Sequence, residues 1–234
     1  MADGSVLITG SSKGLGESLA IIFSRDYQGV ILHGRDIQDL QRVRQRILES
    51  NRGKDVLCKI VQGDLTDSLT LERLAEAARG NDVSVLINNA AIISKGYVSS
   101  FDEKEISYLL NVNLVSAIKL TGKIYPHLAA RGGGMIININ SKSGLNPEEN
   151  NSLYSASKYG MKGFTDCLRM DAKKDNIRVI GVYPAGMHTS FHNSVGGHSE
   201  IEKTMRPEEV AEIVYRSTCY NSVHINDIIL ERAR

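Results

Sequence analysis

Seven short apolar runs separated by longer amphipathic ones constrain this chain more than any other feature. The runs expected as strands cover residues 5–9, 30–33, 55–61, 83–88, 134–140, 177–183 and 225–230. Between them apolar residues recur at helical spacing, as Leu15, Leu19, Ile22 and Phe23 do within 14–25. The same spacing predicts helices over 37–50, 69–79, 102–130, 152–174 and 207–218. Pro126 should bend or end the long fourth helix. Pro207 should open the last one, where its missing N–H costs little. Strands and helices in alternation imply an α/β fold, a doubly wound parallel seven-stranded sheet with helices on both faces. The crossovers should be right-handed. Ligands of such sheets lie at the carboxyl ends of the strands.

No repeat or linker-like stretch divides the 234 residues, so a single domain over 1–234 is expected. Lys and Arg total 28 against 27 acidic residues, a balance that gives no pull toward nucleic acid or an anionic membrane. No apolar run nears the ~20 residues a membrane span needs, and no signal peptide is read. Cys58, Cys167 and Cys219 are odd in number and lack metal-ligand spacing, as expected of reduced thiols in a cytoplasmic protein.

Residues 9–16 read Thr-Gly-Ser-Ser-Lys-Gly-Leu-Gly, directly after the first strand. Gly10 permits a tight turn, and Gly14 and Gly16 let the backbone approach a pyrophosphate. The helix that follows offers its N-terminal N–H groups to the anion. Ser12, Lys13 and Leu15 complete this cofactor-binding turn. At the end of the second strand, Gly34 leaves room and Arg35 supplies a fork of donors suited to a phosphate. With Lys13 nearby, this favours NADP(H) over NAD(H), although Asp36 stands one place away. Asp64 and Leu65 follow the third strand, where the adenine should lie. Asn89 and Ala90 follow the fourth, within an Asn-Asn-Ala-Ala run whose small residues let a cofactor lie against the backbone.

Tyr154 and Lys158 stand four residues apart and share a helix face. A cation beside a phenol favours the phenolate and lowers its pKa, which would make a tuned acid or base.

Together these motifs resemble the compact, single-domain short-chain dehydrogenases/reductases, a Rossmann-like family, over about residues 5–189. The resemblance assigns catalysis to Asn113, Ser141, Tyr154 and Lys158. Tyr154 would be the proton donor, with Ser141 on the substrate oxygen. Lys158 would tune Tyr154 and hold the nicotinamide ribose, and Asn113 would hold a water that links Lys158 to solvent. Pro184 and Thr189 would contact the nicotinamide. Ala91 and Ala185 stand where the family usually has Gly, and Ala185 could tighten the floor under the nicotinamide unless Gly186 relieves it. The segment 223–228 resembles the branch with sepiapterin-reductase-like and 3-hydroxy-acid dehydrogenase enzymes.

The expected activity is NADPH-dependent reduction of a carbonyl to an alcohol, or the reverse, on a small to medium substrate. A substrate loop is expected over about 187–206, short and polar, with Phe191 and Val195 its main apolar members. Segments 94–100, with Tyr97, and 144–151 should supply the other walls. His188, His192 and His198 fit no ligand pair, so no metal is expected. The alternatives are 3-oxoacyl-carrier-protein reduction, with Arg131, Lys173 and Lys174 as docking charges, and a non-catalytic NADP-binding regulator. A lyase or isomerase could use the same Tyr; an extended epimerase would need a larger C-terminal domain. The long helix and the helix after Ser152 are the family's oligomer faces, so a homodimer or homotetramer is expected.

Overall fold

The computed structural model describes residues 2–187, 204–220 and 222–233. In chain order the elements are β1 (Ala2–Ile8), α1 (Gly14–Phe23), β2 (Tyr27–Gly34), α2 (Ile37–Ser50), β3 (Leu57–Gln62), α3 (Ser68–Gly80) and β4 (Val83–Asn88). Next come α4 (Glu103–Leu110), a π-helical turn (Asn111–Val115), α5 (Ser116–Ala130), β5 (Gly134–Ile139) and α6 (Ser152–Asp171). Then β6 (Ile177–Pro184), α7 (Pro207–Thr218) and β7 (Asp227–Leu230) complete the described chain. The strands form one sheet in the order β3-β2-β1-β4-β5-β6-β7, with every pairing parallel. The order reverses between β1 and β4, which opens a crevice at their carboxyl ends.

Alternation along the strands builds two cores. Val6 and Ile8 of β1 pack with Leu19, Leu40 and Val214 beneath α1, α2 and α7. Leu7 points to the opposite face and packs with Leu74, Leu120 and Leu168 of α3, α5 and α6. Each such side chain, taken fully out of water, contributes roughly 1.5–3 kcal/mol. Local signals fix the helix starts. Asp36 caps α2 by accepting from the Gln38 and Asp39 N–H groups at 2.8 and 3.2 Å. Pro207 sits in the first turn of α7.

Several expectations need correction; β2 begins at Tyr27 rather than 30, and α6 ends at Asp171 rather than 174. The helix over 102–130 is broken into α4 and α5 by the π turn, and Pro126 does not end it. Pro126 lies on the solvent side, and the residue four before it is the exposed Gly122. Water can therefore solvate the carbonyl that the proline leaves without a partner. β7 begins at Asp227 rather than 225, because its pairing with β6 starts where Asp227 meets Gly181. β1 begins at Ala2, with a register shift between Ala2 and Ser5.

A buried polar chain crosses the middle of the sheet. Asn88 and Asn138 are partners across β4 and β5. Asn88 Nδ2 donates to Thr121 Oγ1 (3.0 Å) and to Asn138 Oδ1 (2.9 Å), and Asn138 Nδ2 donates to Thr165 Oγ1 (2.9 Å). This pins α5 and α6 to the strands whose ends carry Asn89 and Ser141. No helix among the described residues is long and apolar enough to cross a membrane.

Candidate active site

The crevice is a cleft of about 310 Å³ that runs from Arg35 at one end to Tyr154 and Lys158 at the other. Its floor is the turn after β1. Gly10 adopts φ +64°, and a Cβ there would lie 2.8 Å from Ala90 Cα. A Cβ on Gly16 would meet the Gly10 carbonyl oxygen at 2.1 Å, so the turn and α1 can pack this closely only around glycine. Asn89 Nδ2 donates to the Thr9 and Gly10 carbonyls at 2.9 and 3.0 Å, and Thr9 Oγ1 accepts from the N–H groups of Asn89 and Ala90. No side chain caps α1 at Lys13. Its first-turn N–H groups thus face the cleft beside a pinned, glycine-rich turn, a cradle that fits a dinucleotide pyrophosphate.

His33 ties this floor together, and sequence reasoning missed it. Its Nδ1 accepts from Gly10 N at 3.3 Å, so Nε2 carries the proton toward the Gly63 carbonyl at 3.2 Å. Burial pushes its pKa down from 6.5 to about 4. A histidine held neutral in the fold adds stability above its unfolded pKa and loses it as pH falls through the folded one. Stability should therefore drop between about pH 6.5 and 4, by an order of ~3 kcal/mol from this group. Urea denaturation of wild type and His33→Gln at pH 7 and pH 4.5 checks this; the variant should lose less across the interval.

At the adenosine end, Arg35 Nη1 donates to the Tyr108 hydroxyl at 3.0 Å, and that hydroxyl donates to Asp64 Oδ2 at 2.9 Å. Asp64 Oδ1 accepts from Thr66 N and Thr66 Oγ1. Partial burial pushes the Asp64 carboxyl up, but the Thr66 and Tyr108 hydrogen bonds and the Arg35 charge outweigh it, and its pKa falls below the ordinary value. The carboxylate of Asp36 is taken up by the α2 cap. Lys13 pairs with Asp39 at 2.9 Å. Arg42 bonds both carboxylate oxygens of Glu17 and donates to the Ser12 carbonyl at 2.9 Å, bracing the turn from outside.

At the other end, Tyr154 and Lys158 share a face of α6 as expected, and both are buried, 6% and 2% exposed. Their relation differs from the expected one. Lys158 Nζ lies 5.6 Å from the centroid of the Tyr154 ring and donates to the Ile139 carbonyl at 3.3 Å. The cation meets the π face. Burial dominates: it raises the Tyr154 pKa well above that of a free phenol, against a hydrogen bond with Ser141 that lowers it. The net shift of the phenol is therefore upward, set by burial rather than by the cation. Burial lowers Lys158 itself from 10.5 to about 8.

Ser141 begins the segment after β5 in extended backbone, accepting from Ser143 N at 3.1 Å. Asn113 lies in the π turn, buried. Its Oδ1 accepts from Ile92 N at 2.7 Å, and its Nδ2 donates to the Ile92 carbonyl at 2.8 Å and to Ser157 Oγ at 3.1 Å. Both amide protons serve protein partners, so the side chain holds the segment after β4 against α6. A relay water would have to find an acceptor here.

The sequence model of the family described as short chain dehydrogenase matches residues 5–199. The chain belongs to this family. It is 28% identical over 221 residues to a sepiapterin reductase of Chlorobaculum tepidum, covering 91% of this chain and 88% of that one. It is 32% identical over 218 residues to a Drosophila melanogaster dehydrogenase/reductase SDR family protein 7-like, covering 88% of this chain and 67% of that one. In structure it resembles a short-chain dehydrogenase from Sphingobium yanoikuyae in complex with NADPH, with a TM-score of 0.87 at 25% identity over 97% of this chain and 87% of that one. The protein is an NAD(P)-dependent dehydrogenase/reductase, an oxidoreductase of Rossmann-like fold.

In this dehydrogenase the cleft wall includes Gly10, Ser12, Lys13, Gly14, Leu15, Gly16, Arg35, Asp64, Leu65, Asn89, Ala90, Tyr154 and Lys158, all expected from sequence. It also includes His33, Tyr108, Val112 and Asn140, which were not, and Met187, the first residue of the expected substrate loop. His33 and Asn140 adjoin motif residues, a signal that could have found them. Pro184 lies buried at the end of β6, behind the wall. Thr189, the three histidines, Phe191, Val195 and most of the expected substrate loop lie outside the described residues. Ala91 and Ala185 do not adopt positive φ, so alanine is unstrained where the family usually has glycine. Tyr97 is 71% exposed, midway along the segment expected to wall the substrate.

Proposed function

We propose that the protein reduces the carbonyl of a small to medium substrate with NADPH, or runs the reverse oxidation. The observation that carries this reading is the Tyr154 hydroxyl, buried at the far end of the cleft and hydrogen-bonded to Ser141. The nicotinamide supplies the hydride when bound. The chain's part is the proton and the charge. A phenol whose pKa is raised keeps its proton at neutral pH and can hand it to an oxygen that becomes an alkoxide. Ser141 hydrogen-bonds the same oxygen and helps stabilise the developing charge. Lys158 holds its charge against the Tyr154 ring, and Asn113 fixes Ile92 and Ser157 around it.

The preference for NADP(H) rests on the adenosine end. Arg35 faces the cleft, while the carboxylate that would bind a ribose diol, Asp36, caps α2 instead. Arg35→Ala should raise KM for NADPH about 10–100-fold, the range for losing hydrogen bonds to a charged group. KM for NADH should hardly change; an equal loss for both would sink the assignment.

The reaction itself is tested by following NADPH absorbance with diketones, aldehydes, 3-keto acids and 3-oxoacyl thioesters. Oxidation of NADPH by one class, absent in Tyr154→Phe, supports the reading. Tight NADPH binding with no turnover on any class favours a non-catalytic regulator. Carrier-protein docking gains little support from Arg131, because Asp82 and Asp3 already pair with it. The α5 and α6 faces, with Ile118 and Met170 exposed, are the surfaces on which a homodimer or homotetramer would form.

A further inference from the structure

Tyr108 belongs to none of the motifs that the sequence displays. It stands on α4, an element far in sequence from the end of β2 that leads into Arg35. Yet its hydroxyl lies between Arg35 Nη1 at 3.0 Å and Asp64 Oδ2 at 2.9 Å, and all three side chains line the cleft. A phenol hydroxyl has one proton to give and lone pairs to accept with. Asp64, an acceptor, takes the proton, and the guanidinium, a donor only, must give to the oxygen. The direction of the chain is therefore fixed: Arg35 to Tyr108 to Asp64.

Three consequences follow. Arg35 is an exposed, long side chain, and alone it would lose most of its rotamer freedom on binding any anion. Anchoring one terminal nitrogen removes part of that loss in advance. The anchor is an uncharged oxygen, so the guanidinium forms no ion pair with it and feels the Asp64 charge only across the phenol. A direct Arg35–Asp64 bidentate pair would have used both the fork and the charge. Tyr108 is the spacer that keeps the two apart. Gln62 Nε2 donates to the Arg35 carbonyl at 3.0 Å and steadies the backbone of the same residue.

We propose that Tyr108 is a specificity-determining positioning residue, which holds Arg35 free of Asp64 and aimed at the 2′-phosphate of the adenosine half. This rests on the NADP(H) reading above. It acts through Arg35, and its effect should appear only for ligands that bear the 2′-phosphate.

The test is isothermal titration of the cofactor-free full chain with 2′,5′-ADP and with 5′-AMP, for wild type, Tyr108→Phe, Arg35→Ala and the double variant. Tyr108→Phe keeps the ring and removes the relay. It should weaken 2′,5′-ADP about tenfold, the scale of one hydrogen bond to a charged group. It should leave 5′-AMP within about twofold, with an unchanged circular dichroism spectrum. In the Arg35→Ala background the substitution should change nothing further. An unchanged ratio of the two affinities in Tyr108→Phe, with Arg35→Ala still abolishing the preference, overturns the role of Tyr108 alone. A tenfold loss that persists without Arg35 overturns the claim that Tyr108 acts through it. A wild-type protein with no preference for 2′,5′-ADP overturns this proposal and the NADP(H) reading together.

Discussion

Tyr154→Phe should bind NADPH as wild type does and lose turnover by about 10²–10⁴-fold, the usual share of a positioned general acid. The substitution removes one oxygen and nothing else. The ring is buried within α6, with the Lys158 ammonium over its face, and phenylalanine preserves both the packing and the cation–π contact. Ser141 loses a partner but keeps its bonds with Ser143 N and Ser143 Oγ at 3.1 and 3.3 Å, so the segment after β5 should hold its shape. Stability should change little, because the hydroxyl that is removed was itself desolvated. The loss should therefore fall on kcat, with the NADPH dissociation constant, read by nicotinamide fluorescence, within about twofold of wild type. Turnover near the wild-type rate would show that another group protonates the substrate oxygen. A large loss of NADPH binding would show that the phenol serves the cofactor more than the chemistry.

Most of the fold is legible in the chain because the central apolar runs are buried on both faces and several helices carry their own boundary marks. Ile37–Ser50 and Pro207–Thr218 are bounded as the sequence predicts, one by the Asp36 cap and the other by Pro207. The floor of the cleft is legible for a similar reason. Gly10 and Gly16 are demanded by local backbone and by contacts at 2.8 and 2.1 Å, so the motif and the geometry are nearly the same statement. What escapes the sequence is whatever depends on two elements meeting. Tyr108 is one tyrosine on an amphipathic helix, and only the approach of α4 to the end of β2 gives it Arg35 and Asp64 as partners. The π turn at Asn111–Val115 has no local signature, yet it lies where Asn113 must reach both Ile92 and Ser157. The Tyr154–Lys158 pair is legible as a shared face. The vertical placement of the cation over the ring depends on how deeply α6 is buried, and with it the direction in which the phenol is shifted.

That burial leads to the second large effect. Lys158→Met should abolish most activity and at the same time make the protein more stable. Lys158 is 2% exposed, burial takes its pKa from 10.5 to about 8, and its ammonium donates at 3.3 Å to the Ile139 carbonyl. Because the folded value lies below the unfolded one, the unfolded chain binds more protons between about pH 8 and 10.5. Stability therefore rises through that window. Below pH 8 the ammonium is charged in both states, and the fold carries the full burden of burying it, an order of ~3 kcal/mol for a shift of this size. Methionine has a similar reach and no charge, so it relieves that burden while filling the same volume. For a domain of this length, Tm at pH 7 should rise by about 5–10 °C. The gain should shrink as pH climbs toward 10.5, because the wild-type lysine then becomes neutral in the fold. Thermal melts of both proteins at pH 7 and pH 10 measure this difference directly. A variant that melts below wild type at pH 7 would mean that Lys158 stabilises the empty site, through the carbonyl and the Tyr154 ring, more than burial penalises it. Where the variant is both more stable and inactive, the charge at Lys158 is held against the preference of the fold for the reaction the cleft carries out.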